Sequence, residues 1–159
     1  MFGLFKKTLN LVAPISGKVI DLSEVPDETF SKRLVGNGVA IDSTGDLVVA
    51  PADGELALIF RTNHAFAIRT DDGIELLIHV GIDTVELEGE GFERIGVEGT
   101  KVKAGDPILK INRSIMEAKG LSLITPVLIT LPMGVEDIDF PLNKTVECGK
   151  DIVLKYKYK

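Results

Sequence analysis

His64 and His79 are the only two histidines of the 159-residue chain, and they stand on either side of the dipeptide Asp72-Gly73. An imidazole titrates near pH 6.5, so much of it is uncharged and nucleophilic at neutral pH. Two imidazoles brought together support three chemistries. They can ligate a metal, work as an acid and base pair, or share a group transfer in which one accepts a phosphoryl group and the other steadies it. A metal centre needs a third ligand, for which Asp83 is the nearest carboxylate in sequence. Neither an HExxH pattern nor a clustered Cys/His spacing accompanies the pair. Phosphoryl transfer asks less of the protein, because its loose transition state needs mainly positioning and charge balance. Thr62, two residues before His64, can fix a tautomer or touch phosphate, although strand propensity explains a threonine there equally well. Gly81, two residues after His79, lets the backbone come close to that imidazole.

The elements that must position these residues read as a hairpin. Segments 60–70 and 74–81 are rich in apolar and β-branched residues, and Asp-Gly is a strong turn dipeptide. A two-residue loop sets His79 opposite Phe66, one diagonal step from His64, and a four-residue loop sets the histidines directly opposite. Either register gives both imidazoles one face, with Phe60 sharing the parity of Thr62 and His64, and Leu77 that of His79. A three-residue loop or a bulge separates them.

Around the hairpin the chain repeats itself. Ala13-Pro14-Ile15-Ser16-Gly17 returns as Ala50-Pro51-Ala52-Asp53-Gly54, and the segments 101–109 and 145–153 form a second related pair of short strands with glycine turns. With 16 glycines, 7 prolines and few helical periods, the expected fold is all-β, an antiparallel sandwich or barrel-like structure with internal pseudo-repeats. One or two very short helices are expected at 23–30 and 114–120, the second capped by Ser114 and stopped by Gly120. Segments 38–41, 47–49, 84–87 and 125–130 fit strands. The expected organisation is a flexible leader over residues 1–10 and a single domain over 11–159.

Composition narrows the function classes. A net charge of -6 disfavours nucleic acid or an anionic membrane as the main partner. The start of the chain mixes Phe2, Leu4 and Phe5 with Lys6 and Lys7, but it is too short to hold a membrane alone, so no stable insertion is expected. The lone Cys148 cannot form an internal disulfide, and the expected setting is the reducing cytoplasm. The run Glu88-Gly89-Glu90-Gly91-Phe92 lacks the Lys and Ser/Thr of a phosphate loop.

Several motifs together then carry a resemblance across nearly the whole chain. Ala13-Pro14-Ile15-Ser16-Gly17, Val35-Gly36-Asn37-Gly38-Val39-Ala40, Ala50-Pro51-Ala52-Asp53-Gly54, Thr62-Asn63-His64-Ala65-Phe66 and His79-Val80-Gly81-Ile82-Asp83-Thr84-Val85 are similar to the glucose-type IIA component of the bacterial sugar phosphotransferase system. Gly89-Glu90-Gly91-Phe92 and Val102-Lys103-Ala104-Gly105-Asp106 continue the likeness. The resemblance implies a β-sandwich that takes phosphate from the histidine phosphocarrier protein and passes it to a cysteine on the IIB domain of a sugar permease. By position His79 matches the phosphorylated histidine, His64 its companion, Thr62 the neighbouring hydroxyl and Gly81 the backbone group that orients His79. Val39, Phe60 and Leu77 match an apolar docking face, and Asp83 an acidic residue at its rim. Asn37 departs from the family's usual Asp, which removes a charge that could meet a partner's arginine.

The resemblance requires no cofactor. It leaves zinc at His64 and His79 as an adventitious or regulatory ligand, and adds regulated transporters or kinases as further partners. Two other readings use the same face: a zinc hydrolase, which needs a third protein ligand, and a regulatory binding module without turnover. A biotinyl or lipoyl carrier is excluded, because Ile115-Met116-Glu117-Ala118-Lys119 does not present a lysine flanked by methionine in a tight turn.

Overall fold

Glycine and proline turns cut this chain into short strands, and the computed structural model describes them over residues 7–133 and 137–158. Among the described residues the strands are β1 (Lys7–Val12), β2 (Gly17–Ile20), β3 (Asn37–Ser43), β4 (Leu47–Val49), β5 (Gly54–Ile59), β6 (Ala65–Arg69) and β7 (Glu75–His79). They continue as β8 (Phe92–Arg94), β9 (Lys101–Val102), β10 (Pro107–Ile111), β11 (Ile124–Leu131), β12 (Ile138–Asp139), β13 (Thr145–Val146) and β14 (Ile152–Tyr158). Two short helices, α1 (Glu28–Ser31) and α2 (Arg113–Ala118), and 3-10 turns at Leu22–Glu24 and Thr84–Leu87 complete the described elements.

Every strand pairing is antiparallel. Eight strands form one sheet in the order β13-β2-β3-β11-β7-β6-β5-β9, joined by the three-stranded sheets β1-β14-β12 and β4-β10-β8. The all-β class with minor helices expected from turn chemistry therefore holds. The two Ala-Pro repeats meet in space, where Val12 N–H donates to the Pro51 carbonyl (2.9 Å) and Val49 N–H to the Pro14 carbonyl (2.8 Å). Each repeat also pairs with its own glycine turn: Gly149 N–H donates to Ala13 O, and Gly105 N–H to Ala50 O.

Strand alternation gives the large sheet two apolar faces. Val39, Ile41, Val127 and Ile129 enter the main core, whereas Ala40 and Leu128 point the other way into a smaller cluster with Ile20, Leu22, Val25, Phe30 and Ile82. That smaller cluster underlies the histidine face, because Leu77, on the same strand and parity as His79, packs against it.

Several local expectations change. Residues 7–10 belong to β1, paired with β14 from Lys7↔Tyr158 onward, so the expected leader over 1–10 gives way to a strand there, and its first six residues lie outside the described part. Segment 84–87 is a 3-10 turn, because left-handed residues Asp83 (φ 60) and Glu88 (φ 51) bend the chain at both ends. The 23–30 helix divides into a 3-10 turn with an Asp21/Glu24 capping box and α1 capped by Asp27. Asn112 rather than Ser114 caps α2.

Candidate active site

The hairpin that brings the histidines together uses neither expected register. Thr70 N–H donates to Ile74 O at 2.9 Å, which leaves a three-residue loop, Asp71 to Gly73. Thr70 holds this loop closed: its Oγ1 accepts from Ile74 N–H (3.1 Å) and its carbonyl from Gly73 N–H (2.9 Å). Gly73 takes φ 83, the left-handed residue that three-residue hairpins use. His79 consequently opposes Ala65, and strict alternation would send His64 to the other face. His64 escapes that rule because it precedes β6. It sits in a turn where Asn63 has φ 61 and donates its N–H to Phe60 O (2.7 Å), while Phe60 N–H donates to Ala65 O (2.9 Å). The turn returns the His64 ring to the His79 side, and the ring centroids lie 5.0 Å apart, edge to face.

Each imidazole has its Nδ1 engaged. The Gly81 carbonyl, which can only accept, is 2.8 Å from His79 Nδ1, so that nitrogen carries the proton and Nε2 holds the lone pair. Gly81 reaches this geometry with φ 79. His64 Nδ1 lies 2.5 Å from Thr62 Oγ1.

The electrostatics keep both rings neutral. Burial pushes the His64 pKa down to about 4, and the neighbouring His79 adds to the effect. Burial also lowers His79, opposed by the Gly81 hydrogen bond and the carboxylates of Asp27 and Asp83. At neutral pH the site therefore presents an unprotonated Nε2 on His79.

Of the expected surrounding residues, Phe60 is half-buried and meets the His64 ring at 5.2 Å. Leu77 is half-buried, and Asp83 is exposed beside His79. Val39 is a correction: it is fully buried in the main core, because its neighbour Ala40, not Val39, has the parity of the outer face. Asn37 is also engaged within the chain, its Oδ1 accepting from Arg33 Nε (3.0 Å) and from Gly38 N–H (2.9 Å). Sequence reasoning missed Phe30, whose ring lies 4.9 Å from that of His79, and Asp27, which caps the same short helix. Four helical residues are too few for an amphipathic period, so only the Asp cap signalled this element. Among the described residues no group of three or more His, Cys, Asp or Glu side chains is placed to hold a metal ion.

The sequence model of the family described as phosphoenolpyruvate-dependent sugar phosphotransferase system, EIIA 1, matches residues 9–133. The chain belongs to this EIIA family. A glucose-specific EIIA component of Bacillus anthracis is 44% identical over 100% of this chain and 98% of its own length. An N-acetylglucosamine-specific EIICBA component of Klebsiella pneumoniae is 50% identical over 77% of this chain, which there covers 19% of a longer polypeptide. Among solved structures, glucose permease IIA from Mycoplasma capricolum superposes with a TM-score of 0.86 at 36% identity, covering 94% of this chain and 96% of its own. As an EIIA component the chain is part of a sugar phosphotransferase system, and the face carrying His64 and His79 is its candidate active site.

Proposed function

We propose that His79 accepts a phosphoryl group on Nε2 from the histidine phosphocarrier protein and passes it to a cysteine of a permease IIB domain. The observation that carries this reading is the hydrogen bond from His79 Nδ1–H to Gly81 O, which leaves Nε2 as the ring's nucleophilic atom. In the first step the Nε2–P bond forms as the carrier's P–N bond breaks, and the electron pair returns to the carrier's imidazole. In the second, a IIB thiolate attacks phosphorus and the pair returns to His79 Nε2. The proton stays on His79 Nδ1, donated to Gly81 O, throughout.

His64 supplies the second half of the chemistry. With the Thr62 hydroxyl donating to Nδ1, the neutral ring carries its proton on Nε2 and offers it to a phosphoryl oxygen as charge redistributes. Phe60 and Leu77 give the docking partner an apolar rim, and Asp83 an acidic contact for its arginines. The permease partner is supported by relatives in which EIIA is fused to IIC and IIB components. The sugar would be glucose or a close relative, as the names of those relatives say of them. The setting is the cytoplasm, where the acceptor thiol stays reduced. Transfer needs no resident cofactor. A zinc ion at His64 and His79 would take further ligands from a partner or water, and regulatory binding to transporters or kinases would use the same rim.

The test is direct. Incubation with phosphorylated carrier protein should place acid-labile phosphate on His79 by mass spectrometry, and His79→Gln should take up none. Phosphate on the His79→Gln protein would refute the assignment.

A further inference from the structure

The turn that carries His64 departs from regular strand geometry, and what holds it comes from another sheet. Arg94 ends β8, in the three-stranded sheet β4-β10-β8, where it pairs with Leu109. Its guanidinium reaches across to the large sheet, donating from Nε to Asn63 Oδ1 (2.7 Å) and from Nη2 to Phe60 O (3.1 Å). Both acceptors flank the histidine turn. Phe60 O already accepts from Asn63 N–H (2.7 Å), so one carbonyl gathers two donors, and Asn63 is the left-handed residue that redirects the chain into His64.

From this geometry we propose that Arg94 is a positioning residue for phosphoryl transfer: it clamps the Phe60–His64 turn and so fixes where the His64 ring stands against His79. The proposal rests on the transfer function argued above. A guanidinium suits the task because its planar fork serves two acceptors at fixed angles, whereas an ammonium is a single point charge. The side chain is exposed and touches neither imidazole, so its effect runs through Asn63 and Phe60.

Without the clamp, the turn keeps only its backbone bonds, Asn63 N–H to Phe60 O and Phe60 N–H to Ala65 O, and the Asn63 side chain loses its anchor to the other sheet. A shift of about 1 Å at a catalytic group costs up to about 100-fold in rate. Arg94→Ala and Arg94→Lys should therefore slow phosphate transfer to His79 by roughly 10-fold to 100-fold, with His79 still the modified residue. A merely structural role would not reach the imidazole, so the second readout is the ring itself. In nitrogen-15 spectra at neutral pH, both variants should lose the single His64 tautomer of the wild-type protein in favour of a mixture, while His79 keeps Nδ1–H. If Arg94→Ala fails to fold, Arg94→Lys decides, since it keeps charge and most of the length. Folded variants with unchanged His64 signals and unchanged transfer would overturn the proposal. If the wild-type protein itself takes no phosphate on His79, the transfer function fails, and the His64 spectra still decide whether Arg94 sets that ring.

Discussion

The Gly81 carbonyl lies 2.8 Å from Nδ1 of His79, so a residue two places along the chain determines which imidazole nitrogen is free. Gly81 holds this position at φ 79, where an L side chain is strained by roughly 1–2 kcal/mol. A Cβ added there would also stand 2.6 Å from Thr84 Cγ2 and 3.0 Å from the Ser122 carbonyl. Thr84 cannot easily yield, since it is buried with its hydroxyl donated to Val80 O. Gly81→Ala should lower Tm by about 5 °C and slow phosphate uptake as the carbonyl leaves Nδ1. Calorimetry and a transfer time course check both, and a variant with native uptake would show that the Gly81 contact does not direct the reaction.

The depressed pKa values fix the sign of the pH dependence. Both histidines titrate near pH 6.5 in the unfolded chain and lower in the folded protein, His64 at about 4. Below pH 6.5 the unfolded state thus binds protons that the folded state refuses. Stability should fall as pH drops from 6.5 toward 4, by up to about 1.4 kcal/mol per pH unit for each such group, while above 6.5 it is fully retained and no longer changes with their titration. Urea melts of the wild-type protein and His64→Gln at pH 7.5 and 5 measure this. An equal loss in the two proteins would mean that His64 is not held neutral.

Asn37 stands where the resemblance expects a carboxylate, and the structure changes what that substitution should do. Because Arg33 Nε already lies 3.0 Å from the Asn37 amide oxygen, Asn37→Asp would spend its new charge on Arg33. Association with a IIB domain at low salt should stay near the wild-type rate, with a stability gain below about 1 kcal/mol. A salt-sensitive acceleration in stopped-flow would show that the position faces the partner instead.

Fold class and the two histidines were legible in the sequence for different reasons. Strands and turns follow from local residue chemistry, which the Ala-Pro repeats and glycine turns state openly. Register follows from a three-residue loop closed by the backbone and hydroxyl of Thr70 with Gly73 left-handed, around a dipeptide that alone suggests a two-residue loop. The imidazoles still converge, because Asn63 turns the chain before the strand begins. Val39 shows the complementary limit. A one-residue difference in parity separates the core from the outer face, and hydrophobicity cannot distinguish Val39 from Ala40 when both faces of the sheet are apolar. Phe30 reaches the His79 ring, and Arg94 the turn that carries His64, from elements more than ten residues away in sequence, which no local pattern announces.

Thr62 either acts through His64 or touches phosphate itself, and a double-mutant cycle separates the two. Its Oγ1 is 2.5 Å from His64 Nδ1, the geometry expected if the hydroxyl fixes the tautomer that leaves Nε2–H available. His64→Gln replaces the imidazole with a flexible amide and should slow transfer by about 100-fold or more while His79 remains the acceptor. Thr62→Val preserves volume and removes only the hydroxyl, so it should cost about 10-fold in the wild-type background, less than the loss of the His64 imidazole itself. If Thr62 works through His64, adding Thr62→Val to His64→Gln should cost nothing further, because the imidazole it would orient is gone. Quench-flow rates for the four proteins give the coupling. Fully multiplicative losses would assign the Thr62 hydroxyl a contact with the phosphoryl group independent of His64.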